Sequence, residues 1–283
     1  MDMLLQRVVT ALVLVALLLL SLATQVPWPF ALLTLALIAA AGWEWGRLNQ
    51  APQMISLTMG GALAAAGLWA IALGWTQQRP SPGWWSAAVF WLLAGVVALR
   101  AGPQAWPHLP KWARWCLGAL ALWAAWLALA QARTIGINFL LSVLCLVWMA
   151  DVAAYFGGRA FGRRKLAPAI SPGKSWEGVW SGMAGVMVLA VAWIWLEGRA
   201  SFDSDSLYSR VLQSLGWIGG ALAVMALSGL SVVGDLVESL VKRAAGAKDS
   251  SRLLPGHGGV LDRVDALLPV LPVAMAFATL GGP

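Results

Sequence analysis

The chain has 283 residues, of which 60% are hydrophobic and only 11% are charged, and its formal net charge is +7. Soluble globular domains carry about 25% charged residues, so this composition excludes a water-soluble globular protein. It predicts an all-α polytopic membrane protein, because apolar runs long enough to cross about 30 Å of hydrocarbon, roughly 20 helical residues, recur along the chain.

Apolar runs predict about nine transmembrane helices, and we interpret the first as a retained helix because further spans follow it. The predicted spans cover residues 8–25, 29–45, 56–75, 84–99, 112–131, 135–157, 176–196, 215–237 and 265–282. We expect one membrane domain with two parts, an N-terminal variable part at residues 1–134 and a C-terminal part at residues 135–283 that carries the polar motifs.

The distribution of Lys and Arg predicts an N-terminus in the cytoplasm. Fifteen of the nineteen cations then lie on the cytoplasmic side, and ten of those fifteen fall in two predicted loops, at residues 158–175 and 238–264. Several of the 19 tryptophans fall at predicted span ends, where we expect them to anchor and pack. The larger outer loop, "EGRASFDSDSLYSR", is interpreted as a solvated connector.

Asp151 lies inside the sixth predicted span, where an ionisable side chain is costly and is by default a functional candidate. Its alternative role is a hydrogen bond between helices. Both roles stay open at the level of the sequence.

The segment Gly173-Lys174-Ser175 resembles the end of a P-loop, but the glycine that this motif needs five residues earlier is Pro168. No α/β unit precedes it either, so we reject a P-loop. Ser171-Pro172 predicts the start of a helix. The free N–H groups of that helix, beside Lys174, would form an anion site.

Two pairs of carboxylates have the i, i+3 spacing that puts both members on one helix face. They are Asp235 with Glu238 and Asp262 with Asp265. If the two helix ends are neighbours, the four carboxylates converge, and hard oxygen ligands of this kind suit Mg²⁺. Zinc is disfavoured, because the two histidines and two cysteines of the chain form no plausible ligand set.

Cations surround these carboxylates, namely Lys242, Arg243, Lys248, Arg252 and Arg263. Phosphates that bridge a metal and these cations would explain the interleaving. The alternative is a basic segment attracted to anionic lipid headgroups, which accounts for the cations but leaves the aspartates unexplained. Residues 255–259, "PGHGG", predict a tight turn that lets the backbone approach a ligand.

The segment "SLVKRAAGAKDSSRLLPGHGGVLDRVD", residues 239–265, resembles the signature of the phosphatidate cytidylyltransferase (CDP-diacylglycerol synthase) family. The upstream segments "GDLVES" and "KLAPAISPGKSWEG" are also similar to family segments. The resemblance covers about residues 145–283 and makes the C-terminal part the catalytic one.

The resemblance implies transfer of CMP from CTP to phosphatidic acid with Mg²⁺ as cofactor and a possible nearby K⁺. Its partners would be CTP, phosphatidic acid, membrane lipids and a second copy in a homodimer, and no nucleic acid. It implies a multi-pass protein of the bacterial cytoplasmic (inner) membrane with its site facing the cytoplasm. By carry-over, Asp235 and Asp262 are the principal metal ligands, and Asp265 and Glu238 support them.

The remaining site residues receive two roles. The catalytic set adds Lys248, Asp249 and His257 to the two principal aspartates, and the phosphate-binding set is Lys174, Ser175, Ser239, Lys242, Arg243 and Arg263. The attacking phosphate monoester, with a second pKa near 6, is already largely ionised, so no general base is required. We therefore expect His257 to orient or donate to a phosphate oxygen.

Three alternatives were weighed against this interpretation. A CDP-alcohol phosphotransferase would carry the hallmark Asp-Gly-x-x-Ala-Arg, which the sequence lacks. An ion or solute transporter that uses intramembrane carboxylates would have polar residues spread at mid-membrane depth, yet only Asp151 and Glu44 are placed in this way. A scaffold without chemistry leaves the polar motif unexplained.

Overall fold

The structure is a computed structural model and describes residues 3–280. Its α-helices are α1 Met3–Leu22, α2 Trp28–Leu48, α3 Gln53–Ala72, α4 Trp84–Ala101, α5 Lys111–Ile135, α6 Ile137–Phe161, α7 Trp176–Glu197, α8 Leu207–Ala244, α9 Leu261–Val264 and α10 Leu267–Ala278. Two short antiparallel strands, β1 Lys165–Ala167 and β2 Ser171–Ser175, form a hairpin between α6 and α7.

Seven of these helices, α2 to α8, are long and apolar enough to cross a membrane. At the two ends of the chain the apolar helical stretches are shorter: in α1 it is Val8–Leu22, and α10 has 12 residues. The last residues of the ninth predicted span lie outside the described part of the chain. The predicted fold class, an all-helical polytopic membrane protein, is confirmed.

Contacts at the two ends of the bundle agree with the predicted alternation of the spans. At one end, the Ser250 hydroxyl contacts Glu44 of α2. At the other end, the Trp85 indole at the start of α4 contacts Thr279 just after α10. We call the first the loop end, because it carries the hairpin and the signature loop, residues 245–260 between α8 and α9.

Helices α6 and α7 pack with almost no space between their backbones. A Cβ on Gly182 would lie 2.9 Å from the carbonyl oxygen of Ala150, and one on Gly157 would lie 2.0 Å from Ser181 Oγ. Small residues permit this close approach of helices in membranes. The contact fixes the wall of the site described below.

Helix α8 is longer than the predicted span 215–237 at both ends. It has 38 residues and is kinked at Gly216, whose φ of 69° suits glycine. At the loop end it continues to Ala244, so the expectation that the second polar loop begins at residue 238 is wrong. Asp235, Ser239 and Lys242 therefore lie on one helical face instead of in a flexible loop.

The expectation of a helix start at Ser171-Pro172 is also wrong, because these residues belong to strand β2. Helix α7 begins at Trp176, and its N-cap is Ser175, whose hydroxyl accepts the N–H of Gly178 at 3.2 Å. A serine at the N-cap satisfies an N–H that the helix itself leaves free. Lys174 thus precedes the helix directly but stands on a strand.

The loop between α7 and α8 is not the solvated connector that we expected. The Asp203 carboxylate accepts the N–H groups of Ile137 and Asn138 and so caps α6. The Glu197 carboxylate accepts hydrogen bonds from Asn138 and from Ser206, whose side chain is fully buried. The acidic residues of this loop fasten three helices together.

Candidate active site

An open cavity of about 520 Å³ lies at the loop end between α6, α7, α8 and the hairpin. Its charged lining residues are Asp151, Arg159, Lys174 and Asp235. Ser175 also lines it, through its place at the start of α7. Four charges of both signs around one open volume make this cavity the candidate site for a charged ligand.

Lys174 and Asp235 form an ion pair across the cavity, between strand β2 and helix α8. Each side chain is 26% exposed, so the pair is accessible from the cavity. The other carboxylate oxygen of Asp235 accepts the Ser239 hydroxyl at 3.2 Å, one helical turn further on. Lys174 and Ser239, both predicted to bind phosphate, thus contact the predicted metal ligand Asp235.

A second lysine, Lys242, joins the two predicted carboxylate pairs. Its ammonium lies 2.5 Å from Glu238 Oε2 and 2.7 Å from Asp262 Oδ1. Glu238 is 1% exposed and Asp262 is 7% exposed, so the contact is shielded from water. The end of α8 and the start of α9 are therefore neighbours, as expected. Lys242 lies between one carboxylate of each predicted pair, Glu238 and Asp262.

The Asp262 carboxylate also accepts three hydrogen bonds from the signature loop. The donors are the backbone N–H of Ser250 at 3.0 Å, the Ser250 hydroxyl at 3.0 Å and the backbone N–H of Gly259 at 2.8 Å. Burial by itself would raise the pKa of Asp262, but the bonds from Lys242 and the loop amides lower this pKa to about 2. Asp262 is therefore an anion at neutral pH.

The predicted tight turn is confirmed at residues 255–259. Gly256 and Gly258 have φ values of 75° and 83°, and Leu254 pairs with Gly258 across the turn. Arg263 donates to the carbonyl oxygen of His257 at 2.7 Å and so closes the turn from outside. Neither His257 nor Arg263 is among the residues that line the 520 Å³ cavity.

Lys248 and Asp249 line a different open cavity, of about 570 Å³, together with Arg47 and Arg252. Arg243, one of the predicted phosphate ligands, donates instead to the carbonyl oxygen of Ile170 at 3.2 Å and ties the hairpin to α8. Of the predicted site residues, Lys174, Ser175 and Asp235 line the first cavity with Asp151, and Lys248 and Asp249 line the second. Asp262, Lys242 and His257 line neither.

The sequence interpretation missed two kinds of residue. Tyr155 and Arg159 line the first cavity with Asp151, and the spacing i, i+4, i+8 along α6 was a readable signal for a shared face. Glu44 is fully buried in α2 and bonds to the signature loop. No local motif marks Glu44, since its partners lie more than 200 positions away.

Within residues 3–280, no three His, Cys, Asp or Glu side chains are grouped as a ready metal cage. Asp235 and Asp262 each stand beside a lysine that neutralises them. This donor set fits Mg²⁺, which takes one or two protein carboxylates and completes its shell with water and phosphate oxygens. The backbone of Asp265 packs against α8 next to Asp235. A Cβ on Gly234 would lie 2.5 Å from the backbone carbonyl oxygen of Asp265.

The fold and this site define a class: an integral membrane protein with a lysine–carboxylate site at one end of its helix bundle. The chain belongs to the cytidylyltransferase family, whose family model matches residues 5–280. It is 39% identical over 282 residues to the phosphatidate cytidylyltransferase of Pseudomonas aeruginosa, an alignment that covers 99% of this chain and 98% of the relative.

Two further relatives carry the same name. The protein of Brucella melitensis is 33% identical over 243 residues, which cover 84% of this chain and 73% of the relative. The protein of Haemophilus influenzae is 47% identical over 137 residues, which cover 48% of this chain and 44% of the relative.

Proposed function

We propose that this protein is a phosphatidate cytidylyltransferase, which transfers CMP from CTP to phosphatidic acid and releases pyrophosphate. The observation that carries the proposal is the cavity with Lys174 paired to Asp235 at the loop end, in a chain 39% identical to such an enzyme along 99% of its length. A lipid phosphate and a soluble nucleotide can meet only at a membrane surface, where this cavity lies.

Transfer of CMP to a phosphate requires neutralisation of the phosphate charges more than it requires proton transfer. A phosphatidate oxygen forms a bond to the α-phosphorus of CTP, and the bond from that phosphorus to the bridging oxygen of the β-phosphate breaks in line. Such transfers depend on positioning and on cations beside the phosphate oxygens. Lys174 and Arg159 supply those cations in the cavity, and Lys242 supplies one beside Asp262.

The metal proposal follows from the carboxylates of Asp235 and Asp262, each of which lies beside a lysine. Asp235 and Asp262 would hold Mg²⁺, with Asp265 and Glu238 beside them. Magnesium bound there supplies electrostatic stabilisation of the phosphate charge. Lys174 and Lys242 neutralise the same two carboxylates in the chain alone. We therefore infer that these lysines exchange a carboxylate partner for a substrate phosphate when the substrates bind.

We propose that the loop end faces the cytoplasm of a bacterial cell. Ten of the nineteen Lys and Arg residues lie in residues 158–175 and 238–264, the two segments that include the hairpin, the end of α8 and the signature loop. Short loops with an excess of these residues stay on the cytoplasmic side of a membrane. CTP is then available at the face where the cavity opens.

The transporter alternative depended on the two intramembrane carboxylates, Asp151 and Glu44. Asp151 lines the cavity with Lys174, and Glu44 accepts hydrogen bonds from the signature loop. Both therefore belong to the loop end, and this placement favours the enzyme over a conduit.

The test is a synthesis assay with purified protein, phosphatidic acid, labelled CTP and Mg²⁺, followed for lipid-linked CMP and pyrophosphate. We expect product that requires all three added components. Chelation of the metal and the variant Asp235→Asn should each abolish it. Absence of product under conditions in which a known synthase is active would contradict the proposal.

A further inference from the structure

Glu44 holds the signature loop from a helix far away in sequence. It lies in the last turns of α2, and its side chain is fully buried. Four donors lie within hydrogen-bond distance of its carboxylate: Ser251 Oγ at 2.5 Å, the N–H of Val260 at 3.0 Å, the N–H of Leu261 at 2.7 Å and Ser250 Oγ at 3.1 Å, whose single proton is shared with Asp262. All four donors belong to the loop or to the first residue of α9.

A buried carboxylate is costly unless its charge is compensated by hydrogen bonds. The compensation here comes from hydroxyl and backbone N–H donors, and hydrogen bonds to an ionised acceptor are roughly twice as strong as neutral ones. Glu44 and the loop are thus mutually dependent. The loop makes the buried carboxylate tolerable, and the carboxylate fixes the backbone at Val260 and Leu261.

The end of α2 that carries Glu44 is itself held by tryptophans. The Trp45 indole donates to the carbonyl oxygen of Arg114 at 2.8 Å, and the Trp106 indole donates to Asn49 Oδ1 at 2.8 Å. The Trp115 indole donates to the carbonyl oxygen of Asn49 at 3.2 Å. These bonds join α2 to α5 and to the turn before it, so Glu44 projects from a rigid position.

The network continues from Glu44 to Asp262. Ser250 Oγ lies 3.1 Å from Glu44 Oε2 and 3.0 Å from Asp262 Oδ2, so one hydroxyl stands between the two carboxylates. The position of Gly259 leaves no room for a side chain, because a Cβ there would lie 1.9 Å from Ser250 Oγ and 2.6 Å from Glu44 Oε1. Its own N–H donates to Asp262. Residues 259–260 of the loop are therefore hydrogen-bonded to Asp262 through Gly259 and to Glu44 through Val260.

We propose that Glu44 is a positioning residue for the reaction, which sets the orientation of Asp262 through Ser250 and through the backbone at Val260. The inference rests on the proposed function, in which Asp262 acts on the phosphates. It makes α2, in the part of the chain outside the signature, a component of the active site. Outer-shell partners of this kind typically contribute about 10–100-fold to activity.

The test compares Glu44→Gln with a matched control, Glu197→Gln. Glu197 is also a carboxylate that accepts four hydrogen bonds, from Asn138, Ser206 N–H, Ser206 Oγ and Ser209, but it lies at the opposite end of the bundle. Each glutamine keeps the shape of the side chain, loses its charge and turns an N–H₂ group toward a donor. Both variants therefore weaken a carboxylate with four donors, one fully buried and one partly exposed, and only Glu44→Gln touches the signature loop.

Two readouts separate positioning from simple destabilisation. The first is steady-state kinetics, in which we expect kcat of Glu44→Gln to fall about 10–100-fold with little change in KM. The second is hydrogen exchange at residues 260–261, which should accelerate in Glu44→Gln because one neutral amide oxygen replaces the two carboxylate oxygens that accept these N–H groups. We expect Glu197→Gln to lower thermal stability while kcat stays within about twofold of wild type, since distant sites act independently.

Normal kcat and unchanged exchange at residues 260–261 in folded Glu44→Gln would overturn the proposal, and so would an equal fall of kcat in Glu197→Gln. Should Glu44→Gln fail to accumulate, Glu44→Asp takes its place, because it keeps the charge but draws the carboxylate away from the loop, and the same outcomes apply. The exchange readout does not depend on turnover. Wild-type protein without synthase activity would therefore refute the proposed function, and the exchange result would still show whether Glu44 holds the loop.

Discussion

Lys242 Nζ lies 2.7 Å from Asp262 Oδ1, and this contact joins the last turns of α8 to α9 across 20 residues of sequence. The same ammonium lies 2.5 Å from Glu238 Oε2. One lysine thus stands between two shielded carboxylates. Removal of one partner from a buried ion pair typically costs about 3–5 kcal/mol, because a charge is left without compensation.

Asp262→Asn should lower turnover at least about 100-fold, as expected when a preorganised electrostatic group is removed. The asparagine amide loses the charge and turns an N–H₂ group toward the donors of Ser250, Gly259 and Lys242. The measurement is the rate of formation of lipid-linked CMP by purified protein.

The control for Asp262→Asn is the thermal stability of the same variant. Lys242 keeps Glu238 as its partner at 2.5 Å when Asp262 is neutralised, so the variant should stay folded while it is inactive. Normal turnover in Asp262→Asn would rule out a role of this carboxylate in the reaction. A loss of folded protein in proportion to the loss of activity would mean that Asp262 serves only the fold.

Lys174→Gln should lower kcat/KM about 100-fold, because the cavity loses the cation that pairs with Asp235 and that we propose to contact the substrate phosphates. The matched control is Arg164→Gln. Arg164 is a cation beside the same hairpin, but its side chain is 75% exposed and pairs with Glu177. Exposed pairs contribute about 0–1 kcal/mol, so the control should retain its kinetics. Equal effects of the two substitutions would mean that general surface charge is responsible.

His257→Gln should retain most of its activity, whereas His257→Ala should lose it. The histidine lies on the glycine turn, where its Nδ1 is 3.5 Å from the carbonyl oxygen of Pro255. A glutamine can still donate an N–H to a phosphate oxygen, and an alanine cannot. Acid–base catalysis is worth about 100–10,000-fold. If both variants lost that much activity, the histidine would be a true proton-transfer group.

Asp203→Ala should destabilise the protein by about 1 kcal/mol, the typical worth of a helix cap. Its carboxylate accepts the N–H groups of Ile137 and Asn138 at the start of α6, at the end of the bundle opposite the site. The midpoint of thermal unfolding in detergent should therefore fall, while kcat and KM at low temperature stay unchanged. A change in KM without a change in the unfolding midpoint would contradict this structural role.

Much of the site could be predicted because its residues follow one another in a single segment. The spacing of Asp235 and Glu238 placed them on one helical face, and the glycines at 256 and 258 marked a turn that needs positive φ. The limits of the elements were less readable. Strand β2 at Ser171–Ser175 forms because it pairs with β1, and a proline after a serine is an equally good local signal for a helix.

The sequence by itself determined that this is a polytopic membrane protein. The length of each apolar run and the uneven distribution of Lys and Arg between loops are local properties, and they decide which segments cross a membrane and in which direction. It also indicated, through a family resemblance, which motif we propose to carry the chemistry. Only the tertiary structure decided which members of that motif share a cavity, with Lys174 and Asp235 on one side and Lys248 on another. It alone brought Glu44 to the loop, because a hydrogen bond across more than 200 residues depends on how helices pack and leaves no trace in local spacing.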